Sequence, residues 1–287
     1  MAENPTDIDL PYFDTFVTEL KEGKNVTLEG LIGRNVHWGY WEDPAQAKLT
    51  PDDFLVASDE LTKRLLAWAT PEPGQKILDV GCGFGGTIAL INETYSQLDL
   101  TGLNIDARQI ERARAKVEPL ARSGNKINFV VGDACKLPFA DKSFDTVFAV
   151  ECIFHFPSRS KFFKEAFRVL KPGGRLVLSD FIARPLLLPV LGGLYLRYRK
   201  DIHKVYGSRN KVASLGQYRF LSKYSGLEPI GVEDITRNTL PTYATISKYA
   251  NSTGFEPRSF VRAQAVMEYG SKWGALRYDI LAFRKRA

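Results

Sequence analysis

The sequence predicts an α/β fold: a doubly wound, mostly parallel sheet of seven strands with a helical cap inserted late in the chain. Three observations carry this reading. Short β-rich apolar segments alternate with helical stretches across residues 60–180. A glycine turn follows the first of these strands and opens a helix. The 287 residues, 44% apolar and 25% charged, suit one globular α/β domain with an addition.

In chain order, residues 59–69 carry apolar side chains at helical spacing, and Pro71, Pro73 and Gly74 end that helix. Residues 77–80 read as a short buried strand, 85–95 as a helix, 98–104 as a second strand and 106–121 as a strongly charged helix. A third strand occupies 127–131 and a fourth 144–150. A helix over 158–170 runs into the Pro172-Gly173-Gly174 turn, after which 176–179 is the fifth strand. Strand, crossover helix and strand in this order imply right-handed parallel pairing. A helix over 212–225, a strand near 230–235, a helical insertion and a last strand over 276–283 follow. The final two strands are expected to close the sheet as an antiparallel edge pair.

Three stretches result: an aromatic-rich N-terminal lid segment, 1–58, a core, 59–180, and a C-terminal part, 181–287, that adds the cap and completes the sheet in one structural domain with the core. Cys82, Cys135 and Cys152 have neither zinc-site spacing nor an even count, so no metal is expected and a reducing cytosol is the natural compartment. The start of the chain is acidic and broken by Pro5 and Pro11, unlike a signal peptide, which predicts a cytoplasmic protein. The most apolar run, 186–196, has 11 residues against the roughly 20 needed to span a bilayer. It belongs to a core, a substrate pocket or a peripheral membrane contact. Net charge is +6 and the pI about 9.1, but Lys and Arg are spread among carboxylates, so no nucleic-acid partner is expected. Monomer and homodimer both remain open.

The chemistry starts at Asp79-Val80-Gly81-Cys82-Gly83-Phe84-Gly85-Gly86. In an open α/β sheet, ligands sit at the carboxyl ends of the strands, so this turn lines a site. Its glycines also fit the dinucleotide pattern G-x-G-x-x-G, a weak signal alone. Charge separates the two readings. Asp79, Asp106, Asp133 and Glu151 stand at the ends of four successive strands. Four carboxylates there would repel a pyrophosphate and attract a sulfonium cation, unless they serve as helix caps.

Ordered segments ILDVGCGFGG at 77–86, TGLNIDARQI at 101–110, VGDACKLPF at 131–139, FDTVFAVECIFHF at 144–156 and RVLKPGGRLVLSD at 168–180 cover about 105 residues. In them the chain resembles the class I S-adenosylmethionine-dependent methyltransferases, in the small-molecule group related to ubiquinone, sterol and sugar O-methyltransferases. The resemblance implies a Rossmann-like, cofactor-binding core and S-adenosylmethionine as cofactor. It implies that Gly81 and Gly83 contact the methionine part, that Asp133 and the Ala134 amide hold adenine, and that Asp79, Ile105 and Glu151 line the same site. Where the family usually carries an acidic residue on the ribose hydroxyls this chain has Asn104, which can still bond a hydroxyl but lacks the charge assistance of a carboxylate, so either cofactor affinity is lower or Asp106 or Gln109 helps.

An acceptor hydroxyl must lose a proton, so a base is diagnostic. His155, one of three histidines, lies just beyond the fourth strand in Ile153-Phe154-His155-Phe156-Pro157 and is the expected general base, with Asp180 at the end of the fifth strand orienting it. His37 reads as structural and His203 as a weaker candidate on the cap. Trp38, Tyr40 and Trp41 form an aromatic cluster on the segment that, by the resemblance, folds over the cofactor, where Tyr40 is expected to bond the methionine carboxylate. The apolar cap points to a hydrophobic small-molecule acceptor, and with His155 as the expected base the first reading is an O-methyltransferase of specialised metabolism. Alternatives are an N- or C-methyltransferase acting on a quinone, sterol or amine, and a non-catalytic cofactor-binding scaffold. No Asn-Pro-Pro-Tyr motif follows the fourth strand, which counts against a methyltransferase acting on tRNA or rRNA.

Overall fold

A computed structural model describes residues 11–21, 25–207 and 212–286. Two short helices, α1 (Pro11–Lys21) and α2 (Val26–Ile32), open the chain, and Asn25 caps the second through its side chain to the Leu28 amide. Helix α3 (Pro51–Ala69) begins eight residues before the periodicity suggests, because Thr50 caps it and Pro51 fits its first turn. The core then runs β1 (Lys76–Val80), α4 (Gly86–Thr94), β2 (Asp99–Asn104), α5 (Ala107–Lys116), β3 (Lys126–Val131), β4 (Phe144–Val150), α6 (Arg159–Val169) and β5 (Leu170–Ala183). The expected long charged helix stops at Lys116, and Pro119 lies in a separate turn, Glu118–Leu120.

The cap follows as α7 (Leu188–Tyr206), then α8 (Leu215–Ser225), β6 (Leu227–Asp234), α9 (Thr236–Thr239), α10 (Pro241–Lys248), α11 (Pro257–Lys272) and β7 (Leu276–Lys285). A capping box between Ser214 and Gln217 starts α8. The sheet order is β3-β2-β1-β4-β5-β7-β6. The first five strands pair in parallel, and β7 runs antiparallel to both β5 and β6, the closure expected from the sequence.

One local reading changes. Lys171-Pro172-Gly173-Gly174 does not stand outside the sheet as a turn; it lies within the extended β5, where the register against β4 shifts between Phe144 and Thr146. Gly173 supplies the positive φ of 81° that this irregularity needs.

Both sheet faces are covered, which is why the strands read as nearly continuous apolar runs. One face gathers Leu61, Leu65, Ile88, Ile91 and Phe148, and the other Val147, Phe162, Phe163, Leu176 and Leu178. Among the described residues no helix is long and apolar enough to cross a membrane. Residues 34–38 lie across the glycine turn: a Cβ added to Gly83 would sit 3.5 Å from Val36, and one on Gly86 would run into Asn35.

Candidate active site

Gly81, Gly83 and Gly85 have φ of 79°, 54° and 87°. The amides of Gly81 and Cys82 donate to the Leu103 carbonyl at 2.7 and 3.1 Å, pinning the turn to β2. At Gly81 a Cβ would come within 2.7 Å of the Cys152 side chain. Cys152 itself is buried and donates to the Val80 carbonyl, so it fills space in the core.

Asp79 is 1% exposed, and neither of its carboxylate oxygens has a hydrogen-bond partner. Burial pushes its carboxyl up to about 7, with the Thr87 hydroxyl acting in the opposite sense. Across the turn, Asn104 is engaged by its neighbours: its Nδ2 donates to Gln109 Oε1 at 2.8 Å and its Oδ1 accepts from the Ile105 amide at 2.8 Å. The open group is instead Nε2 of the fully buried Gln109, which has no partner. Ile105 is half-buried just past β2.

Of the four strand-end carboxylates, one caps a helix and one shapes a turn. Asp106 accepts from the Arg108 amide at the start of α5 and pairs with the Arg108 guanidinium. Asp133 accepts from the Cys135 amide at 2.7 Å and shapes the turn around the buried Ala134.

Tyr40 departs from its expected place. Its hydroxyl donates to Glu42 at 3.0 Å, and the Arg64 guanidinium lies 5.3 Å from its ring centroid. A phenol has one proton to give, and Glu42 holds it, so Tyr40 has no donor left for a methionine carboxylate.

Beyond the strand ends lies an apolar cavity of about 230 Å³. Trp38, Phe154 and Phe181 line it from the sheet side, and Ile202, Val205 and Tyr206 of α7 cover it. Trp38 packs edge-on against Phe181 and Tyr243, which fixes its plane. Of the apolar run 186–196, Tyr195 lines this cavity while Leu186 and Leu196 face outward at 89% and 64% exposure.

Glu151 lines the cavity too. Its φ is 49°, a left-handed conformation rare for a side chain of this kind. Its amide donates to Ser179 Oγ at 3.1 Å, while Oε2 accepts from the Trp38 amide at 2.9 Å and the Tyr278 hydroxyl at 2.6 Å. Oε1 has no hydrogen-bond partner among the described residues. Burial pushes this carboxyl up to about 8 despite those two donors.

His155 ends a single 3₁₀ turn, Ile153–His155, with its ring 4.1 Å from that of Phe154. Phe154 lines the cavity, whereas His155 is not among its lining residues. Asp180 departs from its expected role. It is fully buried, accepts from the Tyr218 hydroxyl, from Arg159 at 3.2 Å and from the Phe181 amide at 2.8 Å. Its hydrogen bonds thus tie β5 to α8 and α6 rather than orienting the imidazole. His37 is buried between the Trp38 carbonyl and Thr62, and burial lowers its pKa, in keeping with a structural role. His203 bonds Tyr195 on α7.

A methyltransferase domain model matches residues 78–178. The chain is 36% identical to 27-O-demethylrifamycin SV methyltransferase of Amycolatopsis mediterranei over 75% of each chain. It is 31% identical to an O-methyltransferase of Penicillium expansum over 84% of this chain and 83% of that one. The chain belongs to the S-adenosylmethionine-dependent methyltransferases. A geranyl diphosphate C-methyltransferase from Streptomyces coelicolor, solved with S-adenosyl-L-homocysteine, superposes with a TM-score of 0.72 at 18% identity, covering 95% of this chain and 98% of that one. At that identity the likeness speaks for the fold.

This methyltransferase therefore uses S-adenosylmethionine, and its turn suits that molecule. An unpartnered buried carboxylate, Asp79, and an unpartnered buried donor, Gln109, flank glycines whose conformations leave the backbone bare. A ligand bearing an ammonium and hydroxyls answers both. Gln264 and Tyr206 line the cavity, and Tyr278 and Tyr218 bond Glu151 and Asp180, though the sequence alone did not single them out. Gln264 has a legible signal, since it sits in the i, i+3, i+4, i+7 apolar stripe of Phe260, Ala263, Gln264 and Met267. Tyr206, Tyr218 and Tyr278 have none, because each meets its partner only through the tertiary fold.

Proposed function

We propose that this methyltransferase transfers a methyl group to a hydroxyl of a small, apolar specialised metabolite held in the cavity. The observation that carries the reading is an otherwise largely apolar cavity into which Glu151 brings a carboxyl with one unpartnered oxygen. The likeness to a 27-O-demethylrifamycin SV methyltransferase and to a second O-methyltransferase supports oxygen as the methylated atom.

On this reading Asp79 holds the methionine ammonium, and Gly81 and Gly83 let the backbone close around the methionine part. Gln109, positioned by Asn104, bonds the ribose hydroxyls, Ile105 covers the adenine, and Asp133 with the Ala134 amide reads its edge. Bound there, the cofactor supplies an electrophilic methyl group on a sulfonium. Glu151 Oε1 takes the acceptor's proton, while the Trp38 amide and Tyr278 hydroxyl fix the carboxylate through Oε2. A base whose pKa lies near 8 is well matched to an acceptor hydroxyl at neutral pH. Phe154, Phe181 and α7 keep water from the site.

His155 is the other candidate base, since its ring touches Phe154 on the cavity wall. Single-turnover rates separate the two. Glu151→Gln is expected to lower methyl transfer by roughly 10² to 10⁴ with cofactor affinity unchanged, and His155→Ala to lower it by less than about tenfold. The reverse ranking returns the role to His155.

A further inference from the structure

We infer that Gln264 is a specificity-determining residue, whose unpartnered side-chain oxygen accepts a hydrogen bond from a second hydroxyl on the acceptor. The inference rests on the reading of the cavity as the acceptor pocket. Gln264 stands on α11, is 3% exposed and lines the cavity. Tyr206 lines the same cavity. Gln264 Oε1 has no partner. Phe260, Val266 and Met267 of the same helix also line the cavity, and its lining is largely apolar.

A buried carbonyl oxygen without a donor is costly, and replacing Gln264 by an apolar residue of similar size would remove that cost. An acceptor carrying a donor at this point removes it as well. The same physics makes such a site selective: a molecule lacking the second hydroxyl must bury Oε1 unpaired, so it binds less well than its shape alone would allow. Gln264 and Glu151 line the same cavity. The acceptor is therefore a compact apolar molecule with two hydroxyls, one methylated beside Glu151 and the other read by Gln264.

The test compares 2-naphthol with 2,7-dihydroxynaphthalene, flat apolar probes suited to walls of Trp38, Phe154 and Phe181. Binding is measured by tryptophan fluorescence in the S-adenosylhomocysteine complex of the wild type, Gln264→Leu and Gln264→Glu. The wild type is expected to bind the diol about tenfold to a hundredfold more tightly than the mono-ol. Gln264→Leu should erase that preference while keeping 2-naphthol, and Gln264→Glu, which keeps an acceptor, should restore it. Equal binding of both probes by the wild type, or a preference that survives in Gln264→Leu, overturns the assignment to Gln264. Ile202→Trp, which fills the cavity, separates the two levels. With S-adenosylhomocysteine affinity intact as evidence of folding, it should abolish binding of both probes. If both still bind, or if neither probe binds the wild type, the pocket reading itself fails.

Discussion

At the scale of single residues, the site is built from polar groups whose partners the protein does not supply. Asp79 is the clearest. With its carboxyl at about 7 in the free enzyme, much of it is protonated just below neutrality, and a bound ammonium favours the ionised form. Affinity for S-adenosylhomocysteine should therefore be level above about pH 7 and fall as pH drops below it. Asp79→Asn should weaken binding at pH 8 by about tenfold to a hundredfold, the difference a charge-assisted bond makes, and should flatten the pH dependence. Calorimetry at pH 6 and 8 reads both, and a wild-type affinity that is flat over that range would count against the role. Glu151 works in the same sense for catalysis. Its carboxyl accepts a proton only when ionised, so the single-turnover rate should rise with pH and level off above about 8, and Glu151→Gln should lose that rise. Of these residues, the sequence marked Asp79 and Glu151 as strand-end carboxylates. It did not reveal that Glu151 faces the cavity, because that depends on a positive φ and on Trp38 and Tyr278, which lie 113 and 127 residues away along the chain. Tyr40 was misread for a similar reason: Glu42 and Arg64 claim it locally.

At the scale of elements, the glycine turn and the cap differ in how far they could be read. The turn is local in sequence, and its spacing carried the site. Its glycines are not equivalent, however. A side chain at Gly81 meets both a φ of 79° and Cys152 at 2.7 Å, whereas at Gly83 it meets a φ of 54° with ordinary contact distance to Val36. Gly83→Ala should cost only the left-handed strain, about 1–2 kcal/mol, while Gly81→Ala should cost more and lower the Tm further. Equal losses would mean that the contact with Cys152 is relieved without cost. Helix α8 rests on one buried bond that no periodicity could announce, from Tyr218 to Asp180. Tyr218→Phe leaves a buried carboxylate with one donor fewer and should destabilise the fold by about 1–3 kcal/mol. Its rate–pH profile should match the wild type's. A shifted profile would show that Asp180 acts on the base after all.

At the scale of the whole molecule, the sheet and the order of its strands were legible because two periodicities alternate along the chain. The cavity was not. Its walls come from segments as far apart along the chain as Trp38 and Gln264. The proposed cofactor and acceptor sites share neighbouring strand ends: Asp79 belongs to β1 and Glu151 follows β4, which pairs with it. That juxtaposition makes methyl transfer to a group beside Glu151 the central claim. The measurement that tests it most directly is fragmentation mass spectrometry of the product formed from 2,7-dihydroxynaphthalene and methyl-labelled cofactor. The expected product carries the label as a methyl ether, formed by the wild type and absent with the cavity-filling Ile202→Trp enzyme. Label on a ring carbon, or ether formation undiminished in Ile202→Trp, would contradict it.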